Sequence, residues 1–210
     1  MSMRLFNIRT HTIEEDQPLF TKQVHDDLPL ALSIPHGGEY LLDEVRDHFE
    51  ITSSMPLDTD LYTQEVYALK QGITVSSAIA PDLINFNRPK TPSHDTTLPV
   101  HLRGRDCLHK QSLTGKPSLI KEYEKEEQSR LFYLYDTYHR HLSDMLAHLK
   151  EQFGFALMVD CHSMNSVALQ NTPDEGQTRC DFTVGTLMGS SVSSEVESII
   201  KQRFDTFCEK

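Results

Sequence analysis

Two short apolar runs, each followed by a histidine, constrain the fold of this chain more than any other feature. The first run covers residues 28–35 and precedes His36, and the second covers residues 155–159 and leads through Asp160 to His162. Near-continuous apolar runs of this length are typical of strands that are covered on both faces of a sheet. Because ligands collect beyond the carboxyl ends of parallel strands, we expect the two imidazoles to meet in one pocket.

Strand-like and helix-like segments alternate along the rest of the chain, which is the order of an α/β domain. Besides the two runs, the pattern predicts strands at residues 73–80, 83–86 and 181–186. It predicts helices at residues 41–49, 61–70, 119–151 and 193–208, with Ser118 as a cap and Gly154 as the end of the third. Residues 90–118 show little periodicity and are expected to form a long loop. We therefore expect one α/β domain over residues 1–210, with a mixed, mostly parallel central sheet flanked by helices.

Composition excludes several classes of function. The chain carries 20 basic and 31 acidic side chains, a net charge of -11, whereas a sequence-independent nucleic-acid binder needs a basic surface. No stretch approaches the roughly 20 apolar residues of a membrane helix, and the N-terminus lacks the apolar region of a signal peptide. The four cysteines are scattered without a CxxC pair, so no disulfide framework is predicted. A cytoplasmic protein that binds neither nucleic acid nor membranes is the expectation.

The two histidines have neighbours that suit a zinc site. Catalytic zinc takes three protein ligands and keeps a fourth position for water. His36 and Glu39 form an H-x-x-E pair at a predicted strand-to-helix turn, and His162 supplies a further ligand from a distant part of the chain. Asp60 is a competing carboxylate, so the sequence leaves the third ligand open. A solvated histidine beside a glycine turn is the alternative for either segment taken alone.

Three further residues fit a site that acts on an anionic substrate. Asp160 lies two positions before His162, hence on the same face of a strand, where it can support a ligand. Asn87 and Arg88 follow the predicted strand 83–86, and an arginine fork matches a substrate carboxylate. The basic patch at residues 103–105 is either a solvated loop or a lid over an anionic ligand.

In this order, the motifs resemble those of the N-formylglutamate amidohydrolases (N-formylglutamate deformylases) of histidine degradation. The matching segments are Ser33-Ile34-Pro35-His36-Gly37-Gly38, Asp58-Thr59-Asp60, Asn87-Arg88-Pro89, Arg130 with Tyr138-His139, Asp160-Cys161-His162-Ser163, and Val184-Gly185-Thr186. The set covers about residues 28–190. It is specific as a set, although each element is weak by itself.

The resemblance implies a zinc-dependent hydrolase that is distantly similar to the zinc carboxypeptidases and aspartoacylases, with a phosphorylase/hydrolase-like sheet flanked by helices. It implies that His36 and His162 hold Zn²⁺ and that Asn87 and Arg88 bind a substrate carboxylate. The third ligand is not implied, because the family often lacks the acid that Glu39 supplies here and has its acid at the position of Asp60.

Two departures from the family are visible. Asn85 stands where the family often has aspartate. The family sequences also continue further, into a segment with a glutamate that looks like the family's general base. This chain is expected to lack that C-terminal segment. Glu39 is then the nearby candidate for the base.

The expected reaction is hydrolysis of N-formyl-L-glutamate, or a similar N-acyl amino acid, to the free amino acid and formate. Zinc would polarise the formyl carbonyl, Glu39 would move the proton, and Asp160 would support the site. A zinc carboxypeptidase or N-acyl amino acid amidase of other specificity is one alternative. A shortened, non-catalytic binding protein is the other.

Overall fold

In the part of the chain that it describes, the computed structural model has seven strands and three α-helices. The structure describes residues 3–51, 58–92, 106–108, 119–169, 172–187 and 189–208. In chain order the elements are β1 (Arg4–Asn7), β2 (Ile13–Glu15), β3 (Phe20–His25), β4 (Leu30–Ile34), β5 (Tyr40–Leu42), a 3-10 helix (Asp43–His48), α1 (Thr63–Val66), β6 (Gly72–Ser77), α2 (Lys125–Phe153), β7 (Leu157–Asp160) and α3 (Ser194–Cys208).

One sheet carries both histidine-ending runs. Its strand order is β3-β6-β4-β7, in which β3 is antiparallel to β6 and the other two pairs are parallel. The mixed sheet flanked by helices agrees with the predicted α/β class. In the register of β4 and β7, Ser33 lies opposite Asp160. His36 and His162, which follow these residues, therefore leave the sheet at the same edge.

A second sheet, which the sequence did not predict, lies N-terminal in the chain. Its strands β2, β1 and β5 are antiparallel, and Leu5 of β1 is fully buried against Leu42 of β5. The predicted helix over residues 41–49 is therefore wrong in its first part, which pairs with β1. The remainder is the short 3-10 helix, whose buried Val45 accounts for the amphipathic pattern.

Helix α2 covers one face of the four-stranded sheet. Its buried side chains recur every three to seven residues: Leu131, Leu134, Tyr138, Met145 and Leu149. Gly154 ends the helix with a φ of 81°, in the left-handed region that favours glycine. The helix begins with a capping box between Glu124 and Glu127. The proposed cap Ser118 lies outside the described residues.

Two other predicted elements were wrong for physical reasons that the structure makes clear. The helix predicted at residues 61–70 is reduced to the single turn α1, and its apolar side chains stay exposed, Val66 by 69 %. Residues 83–86 form turns rather than a strand. Leu83, Ile84 and Phe86 are apolar because they are buried in the core next to α2, not because they pair in a sheet.

The C-terminal third agrees less well with the pattern. Helix α3 matches the prediction for residues 193–208, but residues 181–186 are irregular, with Phe182 and Val184 about half exposed. Strand β7 is an edge strand, and its residues are exposed rather than covered on both faces. The basic patch at residues 103–105 lies outside the described residues. Within the described part of the chain, no helix is both long enough and apolar enough to cross a bilayer.

Candidate metal centre

His36 and His162 come together at the carboxyl ends of β4 and β7. Their ring centroids are 4.8 Å apart, a separation that allows both rings to bond one ion at the usual zinc–nitrogen distance of about 2.0–2.1 Å. The adjacency of the two parallel strands produces this meeting. The side chain of His36 is 14 % exposed and that of His162 is 35 % exposed, so solvent reaches both rings.

Asp60 supplies the carboxylate between the two rings. Its Oδ2 lies 2.8 Å from His162 Nδ1 and 3.6 Å from His36 Nδ1. Ligand atoms around a tetrahedral zinc are separated by about 3.3 Å, so this spacing suits the ion. His36, Asp60 and His162 thus form a group of side chains that can hold a metal ion.

Local hydrogen bonds place Asp60 beside His36. The main-chain N–H of Asp60 donates to the carbonyl oxygen of His36 at 2.9 Å. Thr59 Oγ1 donates to the carbonyl of Gly38 at 3.0 Å, and Thr63 Oγ1 donates to the carbonyl of Asp60 at 2.7 Å. The segment before α1 is therefore tied to the Gly37-Gly38 turn by its own backbone and threonine hydroxyls.

Glu39, the other acid that the sequence left open, turns away from this group. Its Oε1 forms an ion pair with Arg9 Nη1 at 3.0 Å, and Arg9 also donates to the hydroxyl of Tyr62 at 3.4 Å. The carboxylate of Glu39 is not among the clustered ligand atoms. Of the two acids, Asp60 is the one that lies among the histidine nitrogens.

The outer nitrogens of the two imidazoles are also engaged. His36 Nε2 lies 3.0 Å from Asn85 Oδ1, and His162 Nε2 lies 3.0 Å from Asp160 Oδ2. When an imidazole donates from its outer nitrogen, the lone pair of its other nitrogen is free to bind a metal. In both rings the nitrogen that faces Asp60 is Nδ1.

Groups of opposite charge lie next to one another at the site. Burial raises the pKa of Asp60, but hydrogen bonds from His162 and His36 outweigh it and lower that pKa to about 2. Burial lowers the pKa of His162, but hydrogen bonds to Asp160 and Asp60 raise it to about 9. The pKa of Asp160 is lowered, because the contacts with His162, Ser33 and Asn87 outweigh its desolvation. The site therefore favours positive charge between its carboxylates, which a divalent cation also supplies.

Asn87 lies beside the same cluster, and Arg88 follows it in the chain. Asn87 Nδ2 donates to Asp160 Oδ2 and lies 2.7 Å from His162 Nε2. The carbonyl of Arg88 accepts a hydrogen bond from the Tyr135 hydroxyl of α2 at 2.9 Å. Helix α2 thus fixes the backbone of the predicted substrate-binding pair.

Three residues of the family-like motifs lie outside the cluster and contact other parts of the fold. Tyr138 is fully buried, and its hydroxyl is 3.0 Å from Ser33 Oγ in β4. His139 Nε2 lies 3.0 Å from the carbonyl oxygen of Phe86. Arg130 pairs with Glu44 at 3.2 Å on the surface.

Three contacts of the site were not predicted as site contacts. The first is the contact of Asn85 with His36, described above. In the other two, Ser163 Oγ donates to Asp60 Oδ1 at 3.2 Å and Tyr67 OH donates to the carbonyl of His162 at 3.2 Å. Ser163 and Asn85 each lie within two positions of a predicted site residue, which is a signal for them. Tyr67 had none, because its approach to His162 depends on tertiary structure.

Comparisons with known proteins agree on one family. The family model described as N-formylglutamate amidohydrolase matches residues 28–208. An N-formylglutamate deformylase of Pseudomonas putida is 31 % identical over 191 residues, covering 86 % of this chain and 66 % of that protein. One of Pseudomonas aeruginosa is 27 % identical over 172 residues, covering 78 % of this chain and 61 % of that protein. The chain thus spans less than two thirds of the length of these curated relatives.

A solved structure shares the fold. The crystal structure of an N-formylglutamate amidohydrolase from Ralstonia eutropha JMP134 superposes with a TM-score of 0.65 at 16 % sequence identity. The match covers 87 % of this chain and 71 % of that one. At this identity the likeness supports the architecture of the domain.

Proposed function

The chain belongs to the N-formylglutamate amidohydrolase family, and from this premise we propose that it is a zinc-dependent amidohydrolase. The proposed reaction is hydrolysis of N-formyl-L-glutamate, or a similar N-acyl amino acid, to the free amino acid and formate. The observation that carries the proposal is the cluster of His36, Asp60 and His162, which offers two imidazole nitrogens and one carboxylate oxygen. The proposal includes a single domain of the zinc-carboxypeptidase, phosphorylase/hydrolase-like type.

The donor set suits zinc. Two imidazoles and one carboxylate that solvent can reach match catalytic zinc sites, which keep a fourth position open. In the proposal, Nδ1 of His36, Nδ1 of His162 and a carboxylate oxygen of Asp60 hold the ion. When bound, zinc polarises a carbonyl group and lowers the pKa of water.

The surrounding side chains give the proposal its substrate class. Arg88 is the predicted partner of a substrate carboxylate, and Asn87 lies beside the metal ligand His162. Asp160 accepts from His162 and so holds that ring in place. A small N-acylated amino acid would put its carboxylate at Asn87 and Arg88 and its amide at the cluster.

Glu39 has one role left in the proposal. Its pair with Arg9 argues against metal binding, but a proton carrier need not touch the ion in the free enzyme. As a carrier, Glu39 would have to leave Arg9 when substrate binds. Glu39→Gln is then expected to lower kcat while the zinc content stays unchanged, and full activity in this variant would remove Glu39 from the mechanism.

The central experiment is metal analysis of the purified chain together with a panel of N-formyl and other N-acyl amino acids. We expect one zinc per chain and fastest hydrolysis of the N-formyl acidic substrate. His162→Ala should lose both zinc and turnover. The matched control is His148→Ala, because His148 is about half exposed and pairs with Asp26 on the surface.

The outcomes separate the candidate functions. A His162→Ala variant that keeps its full zinc content would refute the metal assignment. Hydrolysis of another N-acyl amino acid in preference would identify an amidase or carboxypeptidase of other specificity. Zinc bound without hydrolysis of any compound would indicate a non-catalytic binding protein.

The third ligand is tested separately. Asp60→Asn should lose zinc, whereas Glu39→Gln should retain it, because only Asp60 lies among the histidine nitrogens. The reverse result would assign the role to Glu39.

A further inference from the structure

The two imidazoles of the cluster are supported by chemically different groups. Nε2 of His162 lies 3.0 Å from a carboxylate oxygen of Asp160 and 2.7 Å from the amide of Asn87, whereas Nε2 of His36 lies 3.0 Å from the amide oxygen of Asn85. Asn85 is buried, with 8 % of its surface exposed. The asymmetry concerns residues that lie outside the ligand set itself.

A second contact of Asn85 settles which way its amide points. The main-chain N–H of Asn87 donates to Asn85 Oδ1 at 3.0 Å. A backbone N–H can only donate, so the atom that faces it must be the amide oxygen rather than the nitrogen. The same oxygen faces His36 Nε2, which must therefore carry a proton. The remaining nitrogen, Nδ1, then presents its lone pair toward Asp60 and His162.

The carboxylate of Asp160 and the amide of Asn85 affect the imidazole that each contacts in different ways. A carboxylate that accepts a hydrogen bond from an imidazole raises the basicity of the ring as a metal ligand. A neutral amide oxygen fixes the tautomer in the same way but adds no negative charge. His36 Nε2 thus lies as close to its acceptor oxygen as His162 Nε2 does, but His36 is the weaker donor to a metal.

We infer that Asn85 is the positioning residue that selects the metal-binding tautomer of His36, and that its amide keeps the zinc affinity of this chain below the value a carboxylate would give. The inference rests on the proposed zinc site. It makes position 85 a determinant of metal affinity in this chain.

The test measures the dissociation constant of zinc by chelator competition in two variants. Asn85→Asp keeps an oxygen acceptor for both donors and adds charge, and it should tighten zinc binding by about tenfold. Asn85→Leu removes the acceptor at similar volume and should weaken binding by about 10- to 100-fold. A purely structural role would not allow any variant to bind zinc more tightly than the natural chain.

A matched control separates support of His36 from added charge in general. Asn7 is also buried, at 6 % exposure, and its amide oxygen accepts from the main-chain N–H groups of Arg9 and Thr10 at 2.9 Å each. Asn7→Asp adds the same charge outside the metal cluster and should leave zinc affinity within about twofold. If it tightens binding as much as Asn85→Asp, the inference is overturned.

Nitrogen NMR supplies a readout that does not depend on activity. In the natural chain and in Asn85→Asp, His36 should show the neutral Nε2–H tautomer in the zinc-loaded protein and keep its Nε2 proton protected from exchange. In Asn85→Leu that protection should be lost. Equal zinc affinity in all three proteins would overturn the inference, whereas failure of the natural chain to bind zinc would overturn the proposed function instead.

Discussion

Replacement of Gly38 by alanine tests how tightly the turn after His36 is packed. A Cβ at this position would lie 2.5 Å from the carbonyl oxygen of Ile79 and still closer to the main-chain carbonyl group of Ala78. Ordinary contacts to a Cβ begin at about 3.4 Å, so the two backbones would have to separate by about 0.9 Å or more. Backbone atoms cannot rotate out of the way as a flexible side chain can.

The cost of that separation follows from the bonds that cross it. Tyr40 N–H donates to the carbonyl of Ala78 at 3.0 Å, and Ala80 N–H donates to the carbonyl of Tyr40 at 2.9 Å. Two such bonds are worth about 1 kcal/mol each, and overpacking adds about 1–3 kcal/mol. We therefore expect Gly38→Ala to lower the free energy of unfolding by about 3–5 kcal/mol.

Urea denaturation followed by circular dichroism measures this free energy. Gly185→Ala is the matched control, since a Cβ there meets no atom within 4 Å and should change stability by less than about 0.5 kcal/mol. Gly37→Ala is an intermediate case, because its Cβ would lie 2.9 Å from a side-chain atom, the hydroxyl oxygen of Thr63, rather than from the main chain. A Gly38→Ala protein within about 1 kcal/mol of the natural chain would refute the packing argument.

Three other substitutions test α2 and its contacts. Met145 is fully buried, so Met145→Ala should cost about 2–5 kcal/mol in urea denaturation, and a loss below about 1 kcal/mol would contradict its place in the core. Tyr135→Phe removes the donor to the carbonyl of Arg88 and should cost about 1 kcal/mol in thermal denaturation, whereas Tyr133→Phe, at a ring 62 % exposed, should cost almost nothing. Burial lowers the pKa of His139 below 6.5, although its main-chain hydrogen bond opposes this; the unfolded chain therefore takes up the proton first as pH falls below that value. On going from about pH 7.5 to about pH 5.5, the natural chain should therefore lose more free energy of unfolding than His139→Gln does. If the difference between the two proteins is the same at both pH values, the reasoning is contradicted.

Elements with a clear burial pattern were predictable from the sequence. Strands β4 and β6 and helix α2 overlap their predicted positions, because apolar runs and three-to-four spacing record which faces are covered. Strand β7 and helix α3 also overlap their predicted positions, but β7 is an exposed edge strand. Gly154 marked the end of α2 for a local reason, its left-handed backbone. The pattern failed where apolar residues were buried without regular structure, as at residues 83–86.

The candidate site likewise has features that the sequence determined and features that only tertiary structure decided. The sequence by itself determined that His36 and His162 follow strands, and therefore that both leave a sheet at its carboxyl edge. It did not determine which strands are neighbours, nor whether Glu39 or Asp60 turns toward the rings. Those outcomes depend on long-range contacts: the pairing of β4 with β7, the hydrogen bond from Asp60 to the His36 carbonyl, and the capture of Glu39 by Arg9. Local patterning records how much of a segment is buried, whereas the identity of the atoms that meet is decided only when distant segments pack together.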